Sequence, residues 1–260
     1  MAIITSATGQ QIEKGLSIST SNVLEGATPT ITSAGTSEVA ANISDPDHSL
    51  NYTSGTSAQD FVVSYGPRTN ISYVAVSGHN AATQQQATIE LYNDTTLVDS
   101  VVLKRNHNVM FTFQAQAFQD LKIKFITTPA TYQTTVSFIA AGEHLTIATG
   151  EQAGYKRNWL NRQLVQSTRS TLSSSPISTT QKSKALKGSL VLPNQTSAFS
   201  QLQWQTFIDF AFEQPFFMKE VIDQPESSYI CFDPSFDTSA HSQTTGLDSI
   251  KLKFSVFNGL

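Results

Sequence analysis

The sequence contains only one cysteine, which excludes an intrachain disulfide. Cys231 stands between Ile230 and Phe232, and apolar neighbours on both sides predict a buried, unreactive thiol. The chain is therefore not a small domain held together by a disulfide framework. At 260 residues it is long enough to bury a large core without one.

Charged residues are also scarce. They make up 14% of the chain, against about 25% in an average soluble domain. Serine, threonine, glutamine and asparagine supply much of the polar surface instead. Such a composition is common among extracellular β-proteins and parts of virus particles, although an ordinary soluble protein can also have it.

The sequence lacks long apolar runs and a signal peptide. No stretch reaches the ~18 apolar residues of a membrane-spanning helix, and the N-terminus has neither a basic start nor an apolar core of signal length. We therefore expect a protein made and folded in a cytoplasm, without membrane insertion.

Catalytic motifs are missing as well. The chain has no HExxH, GxSxG, P-loop or GxGxxG sequence, so hydrolase and nucleotide-binding functions lose their usual support. The histidines are scattered at predicted loop positions without metal-ligand spacing: His48, His79, His107, His144 and His241. We predict a protein that is not an enzyme and uses no cofactor.

Hydrophobic patterning predicts β-structure through most of the chain. Residues 71–77 carry apolar or small side chains on both alternating faces, which is typical of a central strand covered on both sides. Gly78 permits the turn that follows. There the side chains of His79 and Asn80 can form hydrogen bonds with backbone N–H and C=O groups that have no strand partner. Further strands are predicted over residues 2–5, 61–65, 87–93, 97–103, 109–113, 121–126, 136–140, 186–192, 216–221, 228–233 and 250–257.

One helix is predicted over residues 200–213. Ser200 and Gln203 form a capping-box pattern, and apolar residues then follow from Trp204 at the i, i+3, i+4, i+7 spacing of a helix. The predicted fold is mainly β, with an N-terminal arm at 1–20 and a jelly-roll or β-sandwich domain at 21–148. A second β-domain, a sheet or barrel with this one flanking α-helix, is predicted at 149–260.

Basic residues are concentrated in one segment. Residues 151–190 carry a net charge of +6 and the rest of the chain −10, within a total of −4. We interpret residues 155–187 as a long hairpin or extended loop that docks on a partner protein; a disordered linker is the alternative. The candidate interface residues are Arg157, Trp159, Arg162, Arg169, Lys182, Lys184 and Lys187. The segment lacks a nucleic-acid-binding module, and the acidic chain predicts no nucleic-acid specificity.

Two further sites are weaker candidates. Asp45 and Asp47 can supply oxygen ligands to a Ca²⁺ ion, although Asx turns beside Pro46 explain the same residues. His79, Asn80 and Tyr92 are candidates for contacting a sugar, although tyrosine in strands is first of all a core and edge residue.

The runs ISYVAVSGHN, ATIELYND, DLKIKF and TVSFIAAGEHL resemble the galactose-binding-like jelly-roll domains of tailed-bacteriophage structural proteins, over residues 25–148. The later runs YKRNWLNRQLVQSTRSTL, QPFFMKE, SSYICFDPSF and DSIKLKFSVFNG resemble the C-terminal part of distal-tail proteins of the phage tail tip. The order departs from the commonest distal-tail pattern, in which the ring-forming domain comes first.

This resemblance implies a non-enzymatic virion protein, assembled in the host cytoplasm as a hexameric or trimeric ring. Its implied partners are other tail proteins such as the tail tube and hub, with a contribution to attachment at the host surface. The alternative is a carbohydrate-binding module or tail-fibre adhesin domain that recognises host glycans.

Overall fold

The structure is a computed structural model. It describes residues 4–5, 11–12, 15–32, 39–47, 49–55, 61–83, 87–127, 133–147, 164–169, 176–183, 186–221, 223–242 and 246–257. Within this part of the chain, no helix has the length and apolar character needed to cross a membrane.

The described strands confirm the prediction of a mainly β protein. In chain order they are β1 Ile4–Thr5, β2 Gln11–Ile12, β3 Leu16–Ser19, β4 Thr30–Thr32, β5 Tyr52–Thr53, β6 Phe61–Ser64, β7 Arg68–Ser77, β8 Ala87–Asn93, β9 Thr96–Leu103, β10 Val109–Phe118, β11 Leu121–Ile126, β12 Thr135–Val136, β13 Phe138–Gly142, β14 His144–Ile147, β15 Leu164–Arg169, β16 Pro176–Ser183, β17 Leu186–Thr196, β18 Phe216–Lys219, β19 Ser228–Ser242 and β20 Leu247–Phe257. A 3₁₀ turn spans Ala40–Ser44, a π-helical segment Phe199–Trp204, and helix α1 Gln205–Glu213.

The first unit is the predicted β-sandwich. A five-stranded sheet in the order β4-β6-β11-β8-β9 faces a three-stranded sheet in the order β10-β7-β13. Ile89 and Leu91 of β8 and Ile123 of β11 point into a shared core, whereas Thr88 and Lys124 lie between them on the partly exposed face. This alternation is what the sequence pattern predicted for strands with one wet face.

The predicted central strand is confirmed. Every residue of β7 from Ile71 to Ser77 is buried, and β7 lies between β10 and β13. Val74 and Val76 belong to the core shared with the five-stranded sheet. On the opposite face Tyr73 and Ala75 pack in a second apolar cluster, which also contains residues of the C-terminal sheet. The strand is apolar on both faces because a sheet covers each of them.

That second cluster joins the sandwich to the rest of the protein, and we call it the docking cluster. Its buried members are Tyr73, Ala75, Met110, Phe138 and Ala140 from the sandwich and Phe217 and Ile230 from the C-terminal sheet. The rings of Phe138 and Phe217 stack with centroids 5.9 Å apart and planes 18° apart. The protein therefore has three layers, with the small three-stranded sheet in the middle.

The C-terminal sheet uses both ends of the chain. Its order is β14-β3-β18-β19-β20-β17, so β3 lies between β14 and β18. Residues 1–20 were expected to form an arm, but Leu16–Ser19 is a buried internal strand. The Phe217 backbone N–H donates to Ser19 Oγ at 2.8 Å, which fixes β3 against β18. The sandwich is thus inserted between strands of this sheet. The domain bounds 21–148 and 149–260, and the independent folding of residues 21–148, stay predictions.

The helix differs from its prediction at the N-terminal end. Phe199–Trp204 has π-helical hydrogen bonding, and the α-helix proper is Gln205–Glu213. Ser200 does not cap the helix: its Oγ donates to the Thr196 carbonyl at 3.3 Å. Thr196 Oγ1 instead accepts the Phe199 N–H at 3.2 Å. Because the helical segment follows β17 directly, the Thr196 hydroxyl at the end of that strand takes the capping position.

The core of this sheet explains where the helix packs. Trp204, Phe207 and Ala211 are buried in one cluster with residues of β18 to β20, and the rings of Phe207 and Phe216 meet edge to face at 5.0 Å. Cys231 lies in the same cluster. It is a free, buried cysteine, and burial raises the pKa of its thiol well above the usual value. The predicted burial of this thiol is confirmed.

Candidate functional site

A cleft of about 610 Å³ opens where the sandwich meets the C-terminal unit. We call it the interlayer cleft. Its lining comes from β7 and β10 of the sandwich, from β14 and the residue before it, from the residue after β3, and from the π-helical turn and α1. The lining residues are Thr20, Ser72, Phe113, Gln114, Ala115, Glu143, His144, Leu145, Thr146, Leu202, Gln203 and Thr206. Most of them carry hydroxyl, amide, imidazole or carboxylate groups, so the cleft offers many hydrogen-bonding groups to a ligand.

His144 and Ser72 are bound to each other in the lining of the cleft. The His144 backbone N–H donates to Ser72 Oγ at 2.9 Å, and the Ser72 hydroxyl lies 2.8 Å from His144 Nδ1. Which of these two groups donates depends on the imidazole tautomer. Burial, with a smaller contribution from nearby Lys219, lowers the pKa of His144 to about 4. At neutral pH the ring is therefore uncharged, and its Nε2 can form a hydrogen bond with a ligand as donor or acceptor, according to the tautomer.

Glu143 lies beside His144 on a rigid piece of backbone. Its N–H donates to Ser21 Oγ at 2.8 Å, and its carbonyl accepts the Thr20 N–H at 2.8 Å and the Thr20 hydroxyl at 3.1 Å. A Cβ at the preceding Gly142 would lie 2.6 Å from the Ser21 carbonyl oxygen, so only glycine permits this close approach. Among the described residues, no side chain pairs with the Glu143 carboxylate. It is an exposed acceptor on a fixed backbone.

The cleft also has apolar walls. The half-buried ring of Phe113 lies 5.7 Å from that of Phe118, and Leu202 from the π-helical turn is 73% exposed. π-Helical turns are frequent at functional sites because the extra residue shifts the side chains of one turn. An apolar wall facing a convergent set of polar groups is the usual character of a ligand pocket.

Lys219 lies buried close to the cleft. It is only 1% exposed, and its ammonium donates to Thr112 Oγ1. Burial lowers the pKa of this lysine to about 8, against the opposing effect of Asp99 and Asp223. The charge is held next to the interlayer cleft and is not among the groups that line it.

The structure separates Tyr92 from the other two residues predicted to contact a sugar, His79 and Asn80. His79 is 1% exposed, its Nε2 donates to the His107 carbonyl at 2.7 Å, and burial lowers its pKa to about 4. Its ring is thus a structural element of the sandwich and is inaccessible to a surface sugar. The Asn80 side chain accepts the Thr135 N–H at 2.8 Å and so closes the same loop.

Tyr92 lies at the other end of the sandwich. The side chain of the next residue, Asn93, forms hydrogen bonds with the backbone of Ala117 and Gln119 at 3.1 and 2.8 Å. These two residues flank Phe118, which pairs with Arg68. Tyr92 therefore lies near the start of β7. His79 follows the end of β7, a strand of 10 residues, which spans about 30 Å. The Tyr92 hydroxyl donates to Glu90 at 2.7 Å. These residues therefore do not form one site.

The candidate calcium ligands form Asx turns. Asp45 Oδ1 accepts the Asp47 N–H, and Asp47 Oδ1 accepts the Ser49 N–H, both at 2.9 Å. This is the alternative that the sequence analysis weighed beside Pro46. Across the described ranges, His, Cys, Asp and Glu form no group of three or more placed to hold a metal.

The predicted interface residues are only partly covered by the structure. Arg157, Trp159, Arg162 and Lys184 lie outside the described residues. The backbones of Arg169 and Lys182 lie on β15 and β16, which pair antiparallel as a hairpin, one of the two arrangements considered for this segment. Lys187 is exposed on β17. Their role at an interface stays a prediction.

The interlayer cleft was not predicted from the sequence. His144 was assigned to a loop, and Ser72 was counted only as a small residue of a central strand. The two are 72 positions apart and meet because β14 leaves the sandwich directly after β13. A signal was present in the sequence: the run Gly142, Glu143, His144 places polar groups at the end of a buried apolar strand.

No family model matches the chain. No curated protein matches it either. Several solved structures resemble part of it. The family 32 carbohydrate-binding module of NanJ from C. perfringens, in complex with galactose, is 17% identical at a TM-score of 0.36, over 45% of this chain and 93% of the module. Chitosan-binding module 1 from a chitosanase/glucanase of Paenibacillus sp. IK-5 is 16% identical at a TM-score of 0.37, over 47% and 99%.

A fucose-binding module of Streptococcus pneumoniae is 13% identical at a TM-score of 0.37, over 46% of this chain and 94% of the module. These three neighbours are carbohydrate-binding modules, and none is a phage tail protein. At these identities and TM-scores the likeness supports no inference about a ligand or a partner. A role in a phage tail remains a proposal.

Proposed function

We propose that this protein is a non-enzymatic carbohydrate-binding protein and that the interlayer cleft holds its glycan. The observation that carries the proposal is the convergence in one cleft of a neutral imidazole, several hydroxyl and amide groups, and a carboxylate that pairs with no described side chain. Sugar hydroxyls both donate and accept hydrogen bonds, so a glycan can satisfy donors and acceptors of this kind together. The volume of about 610 Å³ is that of a small-molecule site.

The lining favours binding without hydrolysis. Most glycoside hydrolases place two carboxyl groups on either side of the scissile bond. Among the residues that line the interlayer cleft, Glu143 is the one carboxylate. His144 is neutral because of its burial, and its Nδ1 is already bound by Ser72. The cleft thus supplies hydrogen bonds and an apolar wall, which are the requirements of recognition.

The proposal is tested by isothermal titration calorimetry with galactose, fucose and chitooligosaccharides, the sugars named for the similar modules, followed by a glycan array. We expect Glu143→Gln and His144→Ala each to weaken binding, Glu143→Gln by about tenfold because it removes a charge-assisted hydrogen bond. Glu213→Gln is the matched control, because Glu213 is exposed on α1 outside the cleft. No binding by the parent protein at millimolar sugar, or equal binding by all variants, contradicts the proposal.

We propose as a second candidate function that the chain is a structural protein of a bacteriophage tail tip. One observation favours it. The C-terminal sheet ends in β14 on one side and in the 11-residue strand β17 on the other, and in the described residues each pairs on one side only. Open edges can pair with another chain, and two different edges suit the head-to-tail contacts of a ring.

Mass photometry of the purified protein tests this second function. We expect a closed oligomer that weakens with salt, and further weakening in the Arg162→Glu/Arg169→Glu variant, since these residues belong to the +6 segment. A monomer at micromolar concentration, in both low and high salt, contradicts the ring.

A further inference from the structure

We infer that the interlayer cleft selects a sugar that carries a free amine, a hexosamine unit, over sugars that carry a carboxylate. This inference rests on the proposed carbohydrate-binding function and names the ligand class of the same cleft. It follows from the charges and hydrogen-bonding groups that the cleft presents.

The charge of the lining has one sign. Glu143 contributes a carboxylate, and no lysine or arginine is among the lining residues. The remaining ionisable group, His144, is uncharged at neutral pH because burial and the nearby Lys219 charge lower its pKa. Lys219 itself does not line the cleft: it donates to Thr112, and the charges of Asp99 and Asp223 act on it. Glu143 is therefore the one charged group that the lining presents to a ligand.

The carboxylate is also placed to form an ion pair. Three hydrogen bonds to Thr20 and Ser21 fix the backbone of Glu143, so the side chain starts from a rigid point. No cation in the described part of the chain neutralises it. An ammonium group on the ligand supplies three donors to this acceptor. The neighbouring His144 Nε2 then forms a hydrogen bond with a hydroxyl group of the same sugar.

An acidic sugar fits the same cleft poorly. A uronic or sialic acid brings a second carboxylate close to Glu143, and like charges at short range repel where water is partly excluded. A neutral sugar keeps the hydroxyl contacts and loses only the ion pair. The order of affinity follows: amine-bearing sugars first, neutral sugars second, carboxylate-bearing sugars last.

The experiment compares three matched ligands by calorimetry: glucosamine oligomers, their N-acetylated counterparts and glucuronic-acid oligomers. We expect the free amines to bind about fivefold more tightly than the acetylated oligomers, which corresponds to a partly exposed ion pair. That advantage should vanish at high salt and in Glu143→Gln, and persist in the control Glu213→Gln. Lysine-rich peptides are included as a second source of ammonium groups, and binding them as tightly as glucosamine oligomers would refute selection of a sugar.

The outcomes separate this inference from the proposed function. If amine-bearing and acetylated oligomers bind equally and Glu143→Gln weakens both alike, the cleft binds sugars but the amine selectivity is wrong. If glucuronic-acid oligomers bind best, the charge argument is refuted. If no sugar of the three classes binds, the proposed function itself fails.

Discussion

Replacing Phe217 by alanine tests whether the sandwich is firmly packed on the C-terminal sheet. Phe217 is 1% exposed and stacks on Phe138 across the boundary between the two units. Removing a buried phenylalanine ring costs about 3–5 kcal/mol, because the transfer free energy is lost and a cavity remains. Domains of ordinary stability unfold with about 5–15 kcal/mol, so this single change should remove a large part of the total.

Phe212→Ala is the matched control for this variant. The substitution is chemically identical, but Phe212 is 67% exposed and packs only at the surface, with its ring 5.3 Å from that of Phe236. We expect its cost to stay below about 1 kcal/mol. The comparison isolates burial in the docking cluster from the general effect of deleting an aromatic ring.

Urea unfolding followed by circular dichroism and tryptophan fluorescence measures both variants. Trp204 is buried in the core of the C-terminal unit. With the other tryptophan of the chain replaced, Trp159→Phe, its fluorescence reports on that unit, while circular dichroism reports on all strands. In the parent we expect the two signals to change together, because the docking cluster joins the units. If the free energies of unfolding of Phe217→Ala and Phe212→Ala differ by less than about 1 kcal/mol, the three-layer packing is wrong.

Three further predictions address the sandwich. Gly78 has φ +64°, so Gly78→Val should lower the free energy of unfolding by on the order of 1–3 kcal/mol in urea titrations, and an unchanged midpoint would contradict this. Because burial lowers the pKa of His79 from 6.5 to about 4, the unfolded state takes up a proton first, and His79 should contribute a loss of about 3 kcal/mol of stability as pH drops from 6.5 to 4. His144, whose pKa is lowered alike, adds to the fall in the parent, so the share of His79 is read from the comparison with His79→Gln, and profiles of equal slope would refute it. A fragment of residues 21–148 exposes its half of the docking cluster, so we expect it to fold with a cooperative melt but self-associate in sedimentation velocity.

Local patterns predicted the strands well. Residues 87–93 and 121–126 were predicted as strands, and β8 and β11 have these bounds. The reason is that alternation along a strand is a property of neighbouring residues, and half-buried strands display it directly. The two-sided apolar pattern of residues 71–77 likewise predicted burial on both faces, although it did not indicate that a separate sheet provides the second cover.

Long-range pairing could not be predicted in the same way. The four residues Leu16–Ser19 carry no local mark of the sheet they join, and their partners lie at His144–Ile147 and at Met218 and Lys219.

The burial of His79 could not be predicted from neighbouring residues either. A histidine after a glycine is typical of an exposed turn, yet here the turn is covered, since the His107 carbonyl from another loop receives the ring proton.

The interlayer cleft depends on this long-range pairing. Ser72 belongs to the sandwich, His144 to the first strand after it, and Leu202 to the π-helical turn of the C-terminal unit. The docking cluster holds these elements at a fixed distance, so loosening it should widen the cleft before either core unfolds. Phe217→Ala, studied at a temperature where it remains folded, should therefore bind a glycan more weakly than Phe212→Ala. If both bind as the parent does while Glu143→Gln does not, the cleft keeps its shape without the docking cluster, and the link between layer packing and recognition is refuted.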